Sequence, residues 1–185
     1  MKLNWMTPRW AGLLAALVTL LLDQANKLWL IDVYKIGQHQ PVRLTPFFDV
    51  IFTKNLGIAY SLLSANSVAG QLALSAAAMV VTAFLFVWLW RSRRMVPAVG
   101  LGLIIGGALG NNACDRFFYG YVADFYHFHV GGFSWYVFNL ADVAITIGVI
   151  GLLYESLIGD EPPASGKETA RPVPERPDAG AAGKR

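Results

Sequence analysis

One aspartate is placed where a carboxylate is costly, and a second stands within reach of it. Asp142 lies within an apolar run, and Asp124 lies in the more polar segment ahead of it. An ionisable group inside a membrane-spanning helix costs roughly 2.5–3.5 kcal/mol on insertion scales, so it calls for a partner or a role. Two carboxylates brought together in a poorly solvated site cannot easily both ionise; one pKa rises and the pair shares a proton. Such a pair holds an acid and a base at once and can activate water against a peptide carbonyl without a metal, a cofactor or a covalent intermediate. The plainer reading of Asp142 is a polar helix-packing contact, and the residues alone leave both readings open.

Other polar residues gather nearby. Asn139 stands three residues before Asp142, and Asn112, Asp115 and Arg116 close another apolar segment at helical spacings of three and four, so each set shares a helix face. Arg116 can pair with Asp115 or contact a substrate. Asp23 and Lys27 are four apart, which a local ion pair explains. His127 and His129, with Asp124 nearby, are a weak zinc signal without a third strong ligand or an HExxH helix, and no metal or cofactor is expected. The single cysteine, Cys114, excludes an intrachain disulfide and CxxC chemistry; among apolar neighbours it reads as a small buried hydrophobe. Ser61 and Ser134 lack a recognisable nucleophile elbow.

The elements that must position these groups follow from composition. Of 185 residues, 55% are hydrophobic and only 15% charged, and the mean hydropathy is +0.46; that is too much apolar surface for an ordinary soluble domain. A helix needs about 20 apolar residues to cross a bilayer. Four segments qualify, over about residues 10–31, 68–90, 95–115 and 137–158. The first could pass for a signal peptide, but no small-residue cleavage site follows it. The fourth puts Asp142 about one and a half turns into its helix, some 7–8 Å from the end. Asn66 and Ser67 are placed as caps of the second.

The fold class expected is therefore a mainly α membrane protein of four transmembrane helices, with a small extracytoplasmic β-element between helices 1 and 2. That element is read from Phe47–Thr53, bounded by Pro46 and Gly57. Arg91, Arg93 and Arg94 mark a cytoplasmic loop, which puts both termini inside and residues 32–67 and 116–136 outside. Residues 1–158 form the membrane domain; 159–185, rich in Pro, Ala, Gly and mixed charge, are expected to be a disordered cytoplasmic tail. A net charge of +3 does not point to nucleic acid, because the basic residues flank apolar segments instead of forming a stripe among exposed aromatics.

Three strings of this sequence resemble a known family: Lys54-Asn55-Leu56-Gly57-Ile58-Ala59-Tyr60-Ser61, GNNACDRFFYGYVADF from Gly110 to Phe125, and FNLADVAITIG from Phe138 to Gly148. With the Asp-Gln-x-x-Lys pattern at Asp23, Gln24 and Lys27, the chain over residues 10–158 resembles the bacterial lipoprotein signal peptidases, also called signal peptidase II. The resemblance implies a monomeric aspartyl endopeptidase of the bacterial inner membrane, with its site near the outer face. It would remove the signal peptide from diacylglyceryl-modified prolipoproteins, cutting before the lipidated cysteine, with membrane lipid as its surroundings. The catalytic pair would be Asp124 and Asp142. Site-lining positions would be Asp23, Lys27, Asn55, Gly57, Asn112, Asp115, Arg116, Asn139 and Ala141. The family reads Gly-Asn-x-x-Asp-Arg, whereas Gly110–Arg116 holds one residue more; three-residue helical spacing to Asp115 selects Asn112 over Asn111. Tyr60 stands where the family often has Phe. The alternative from another class is a small proton- or cation-coupled transporter using the intramembrane aspartates. A conduction path would want polar groups at several depths, not at one end.

Overall fold

A computed structural model describes residues 7–57 and 68–158. Tyr60, Ser61, the caps Asn66 and Ser67, and the tail 159–185 lie outside the described residues. Four helices are long and apolar enough to cross a membrane: Pro8–Val33, Ala69–Arg91, Met95–Tyr119 and Leu140–Ile158.

Helix α1 (Pro8–Leu28) begins with proline in its first turn, where the missing N–H costs nothing, and runs into a π-helical turn, Trp29–Val33. It has two faces. Trp10, Leu14, Leu17 and Leu21 are exposed, as lipid-facing side chains would be. Ala11, Gly12, Ala16, Thr19, Asp23 and Lys27 are buried, so the inward stripe changes from small to polar along the helix.

Helices α3 (Val68–Arg91), α4 (Met95–Ala108) and α6 (Leu140–Ile158) complete the bundle. The uncharged α4 is its centre: α1, α3 and α6 all pack on it, and Ala98 and Leu101 are fully buried. Among helices in lipid, close van der Waals approach drives association, so small residues mark the seams. A Cβ on Gly102 would collide with the carbonyl oxygen of Gly12, and one on Gly148 would stand 2.5 Å from that of Gly100. Among the described residues, α3 and α6 flank α4 without packing extensively on one another. A gap is left between them at the polar end.

The β-element is larger than expected. After the short α2 (Ile36–His39), strands β1 (Val42–Thr45) and β2 (Phe48–Asn55) form a hairpin whose second strand is the β-favouring stretch read from the sequence. The segment between the third and fourth spans supplies β3 (Val122–Val130) and β4 (Phe133–Ser134). All four make one antiparallel sheet in the order β1-β2-β3-β4. Leu30, in the π-helical turn that follows α1, and Ile36, at the start of α2, join Val50, Ala123 and Phe125 in a hydrophobic cluster that seats the sheet on the bundle.

Two local geometries differ from simple helical extrapolation. Beyond α4 the chain continues as a π-helical stretch, Leu109–Arg116, before the single turn α5 (Phe117–Tyr119). At the fourth span, α6 starts at Leu140 and not at residue 137, so Asp142 lies in its first turn and not one and a half turns deep. Phe138 is held off-helix by β3: Phe125 N and Tyr126 N donate to its carbonyl, and its own N–H donates to Tyr126 O.

Candidate active site

The docking of Phe138 on β3 sets the site's geometry, because it brings Asn139 against Asp124 and delivers the start of α6 to the same place. Asn139 caps that helix. The Asp142 N–H donates to Asn139 Oδ1 at 3.0 Å, and the Asn139 N–H donates to Asp142 Oδ2 at 3.1 Å. This is the reciprocal pattern of a capping box with Asn and Asp in the two roles. The Asn139 side chain also donates through Nδ2 to Asp124 Oδ1 at 2.6 Å. One fully buried asparagine therefore touches both aspartates.

The remaining carboxylate oxygens are also held. Asn55 Nδ2, at the end of β2, donates to Asp124 Oδ2 at 2.9 Å, and Asn111 Nδ2 donates to Asp142 Oδ1 at 3.0 Å. Burial pushes the Asp124 pKa up to about 7; the neighbouring Asp142 carboxylate pushes the same way, against the opposing hydrogen bonds of Asn55 and Asn139. Asp124 belongs to the sheet and Asp142 to the bundle, so their meeting depends on the sheet being seated correctly.

Beneath the pair lies a buried charged cluster. Lys27 Nζ stands 2.7 Å from both Asp23 Oδ2 and Asp115 Oδ2 and donates to Asn111 Oδ1 at 2.8 Å. Its side chain is 3% exposed. Asp23 Oδ1 accepts from the Ala141 N–H, and Asp115 Oδ2 accepts from the Ala123 N–H, both at 3.0 Å. Ala141 thus contributes its backbone, tying α6 to α1. Gln24 Nε2 donates to both Asp23 and Asp115. Arg116 donates to the carbonyls of Leu56 and Gly57, and the Gly57 N–H donates to Asn55 Oδ1. Among the described residues, no buried side-chain polar atom lacks a partner.

The structure brings the positions named from the sequence together, Asn112 included among the residues lining the cavity beside the pair, but it is the neighbouring asparagine that bonds to Asp142. Asn112 turns its Nδ2 back to the Ala108 carbonyl, while Asn111 occupies the centre of the network. The exchange of central position between Asn112 and Asn111 has a physical cause. The chain here is π-helical, so one turn takes in an additional residue, and the position sharing Asp115's face is four residues back instead of three. The extra residue of Gly110–Arg116 is absorbed in that turn. Gln24 was part of the Asp-Gln-x-x-Lys string without being assigned to the site, and the string was its only signal.

A cavity of about 500 Å³ opens beside Asp142, with Asn55, Gly57, Asn111, Asn112, Arg116 and Tyr136 on its polar side. Leu74, Ala77, Ala78 and Val81 of α3 and Ile145 of α6 form an apolar wall across the gap between those helices.

The family model of signal peptidase (SPase) II matches residues 15–158. The chain belongs to the signal peptidase II family. Family members include the lipoprotein signal peptidase of Methylocella silvestris, 61% identical over 152 residues, covering 82% of this chain and 88% of that one. That of Beijerinckia indica is 54% identical, covering 84% and 93%. A solved bacterial membrane enzyme superposes with a TM-score of 0.64 at 25% identity, covering 88% of this chain and 94% of its own. The family is one of aspartic endopeptidases, so the chain is a multi-pass membrane protease. The transport alternative finds no support among these relatives.

Proposed function

We propose that this protease removes the signal peptide from diacylglyceryl-modified prolipoproteins, cutting before the lipidated cysteine, with Asp124 and Asp142 as its catalytic pair. The observation that carries the reading is the Asn139 bridge: one buried asparagine, through its side chain and its backbone N–H, holds two carboxylates from different elements, one of them lining a mainly apolar cavity. Asp142, in the first turn of α6 where the helix dipole favours a carboxylate, lines the cavity and is assigned the role of base, and Asp124, buried on the sheet side, that of the proton-bearing acid. Asp142 takes a proton from water as the water oxygen bonds to the scissile carbonyl carbon, and Asp124 donates its proton to the carbonyl oxygen. On collapse Asp124 recovers its proton, the C–N bond breaks, and Asp142 passes its proton to the leaving cysteine nitrogen.

The supporting roles follow from the contacts. Asn55 and Asn139 orient Asp124, and Asn111 orients Asp142. Lys27, Asp23, Asp115 and the Ala141 N–H fix α1, α4 and α6 around them, while Arg116 and Gly57 shape the approach to the cavity. The substrate's acyl chains would lie against the apolar wall between α3 and α6 and reach the site laterally from the bilayer. We place the Arg91–Arg94 loop on the cytoplasmic side of the inner membrane with both termini. The dyad lies at the opposite end of the helices, near the outer face. One chain supplies every group named, so the working unit proposed is the monomer.

The reading is tested by incubating the purified protein in detergent with a diacylglyceryl-modified prolipoprotein peptide and with the same peptide unlipidated. Mass spectrometry should find the lipidated cysteine as the new N-terminus of the first peptide, and the second uncut. Equal cutting of both peptides would remove the lipid from the specificity.

A further inference from the structure

On the sheet, away from the dyad, three metal-ligating side chains converge that the proteolytic reading does not use. Asp49 on β2 is the direct cross-strand partner of His127 on β3. His129, two residues further along β3, lies on the same face. The His127 and His129 rings stand side by side with centroids 5.2 Å apart. One ligand atom from each of the three residues lies within 4.8 Å of the others. From these residues we infer that the extracytoplasmic sheet carries a binding site for a borderline divalent transition-metal ion of the Zn²⁺ or Cu²⁺ class, held by Asp49, His127 and His129.

The donor set suits that class. Two imidazoles and one carboxylate are a common zinc ligand combination, and nitrogen-rich mixed sets also favour copper. Ligands about 2.0–2.2 Å from the metal stand roughly 3.3 Å apart in a tetrahedral site, so small side-chain rotations would close the present spacing. The positions are constrained already. Asp49 is 7% exposed, its Oδ2 lies 3.0 Å from His129 Nε2, and Arg43 Nε donates to the other oxygen, Oδ1, at 3.4 Å. The ion would replace the contact to His129 while the largely exposed Arg43 keeps Oδ1 or swings into solvent. His127 Nε2 is 2.7 Å from Ser134 Oγ on β4, which puts a hydroxyl beside the open coordination position.

The site is separate from the catalytic pair. Asp124 precedes His127 by three residues, about 10 Å along a strand, and alternation turns it to the opposite face. The grouping of His127 and His129 with Asp124 suggested by proximity in the sequence is therefore replaced by one with Asp49, nearly 80 residues earlier in the chain. A bound ion would fasten β2 to β3 at the end of the sheet remote from Asn55 and Asp124.

The test is calorimetric titration of the full chain in detergent, carrying a tag free of histidine, with ZnSO₄. One Zn²⁺ per chain is expected, with binding weakened at least about tenfold in His127→Gln, His129→Gln and Asp49→Asn but kept in His39→Gln. Zn²⁺ should also raise the melting temperature of the wild type and not of the Asp49→Asn variant, which is close in shape and keeps the cross-strand pairing. Absence of saturable binding in the well-folded wild type, or equal binding by all four variants, would overturn the inference.

Discussion

Asp124→Asn should change how the stability of this protein depends on pH. Burial and the Asp142 carboxylate raise the Asp124 pKa from 3.8 to about 7. Between those values the folded chain holds a proton that the unfolded chain has released. Below about pH 4 both forms are protonated and nothing is lost; as pH rises toward 7 the folded state loses stability relative to the unfolded one, and above that both forms are ionised and the loss is complete. At 1.36 kcal/mol per pKa unit the full loss is roughly 4 kcal/mol. Between pH 5 and pH 8 it amounts to about 2–3 kcal/mol, or roughly 5–10 °C in melting temperature for a chain of this size. Asn cannot titrate, so its curve should lack this fall. Both Asp124 oxygens accept from amide groups, so the Asn variant must turn its own NH₂ toward a donor. That adds a pH-independent offset of about 1–3 kcal/mol, and the slope is therefore the diagnostic quantity. The assay is thermal unfolding in detergent at intervals from pH 5 to 8. Parallel curves for wild type and variant would refute a carboxylate raised by burial beside a second charge.

Further outcomes follow from the same contacts. Lys27→Met leaves Asp23 and Asp115 buried without their cation and should cost about 3–5 kcal/mol, read in the same melts; adding Asp115→Asn should recover part of it. Asn111→Ala should lower turnover at least about tenfold, against near wild-type cleavage for Asn112→Ala, because only Asn111 touches Asp142; equal effects would reverse the π-helical assignment. Gly102→Val should abolish stable folding by driving α1 from α4, seen as loss of a monodisperse detergent-purified species, whereas Gly151→Ala, with open space around it, should be tolerated.

How much of this was legible in the sequence depends on range. The four spans follow from apolar length alone, and β2 from a short β-favouring run between Pro46 and Gly57. The strand carrying Asp124 was read only as an outer segment, because its partner β2 lies some 70 residues earlier and pairing at that separation leaves no local periodicity. Asp142 was placed too deep because hydropathy does not register that Phe138 is tied to β3 and Asn139 acts as a cap. Asn112 was preferred because spacing was counted on an α-helix, and a π-helical stretch has no signature beyond the one additional residue. Asp49 gave no signal, since its meaning lies entirely in the register that sets it opposite His127.

The most direct measurement is the rate of signal-peptide release from a diacylglyceryl-modified prolipoprotein peptide by wild type, Asp124→Asn and Asp142→Asn, each shown to be folded by its melt. The account predicts cutting by wild type and loss of turnover, by at least about 10³-fold, in each variant alone, since an acid and a base are both required. Retained cutting in either folded variant would contradict the dyad.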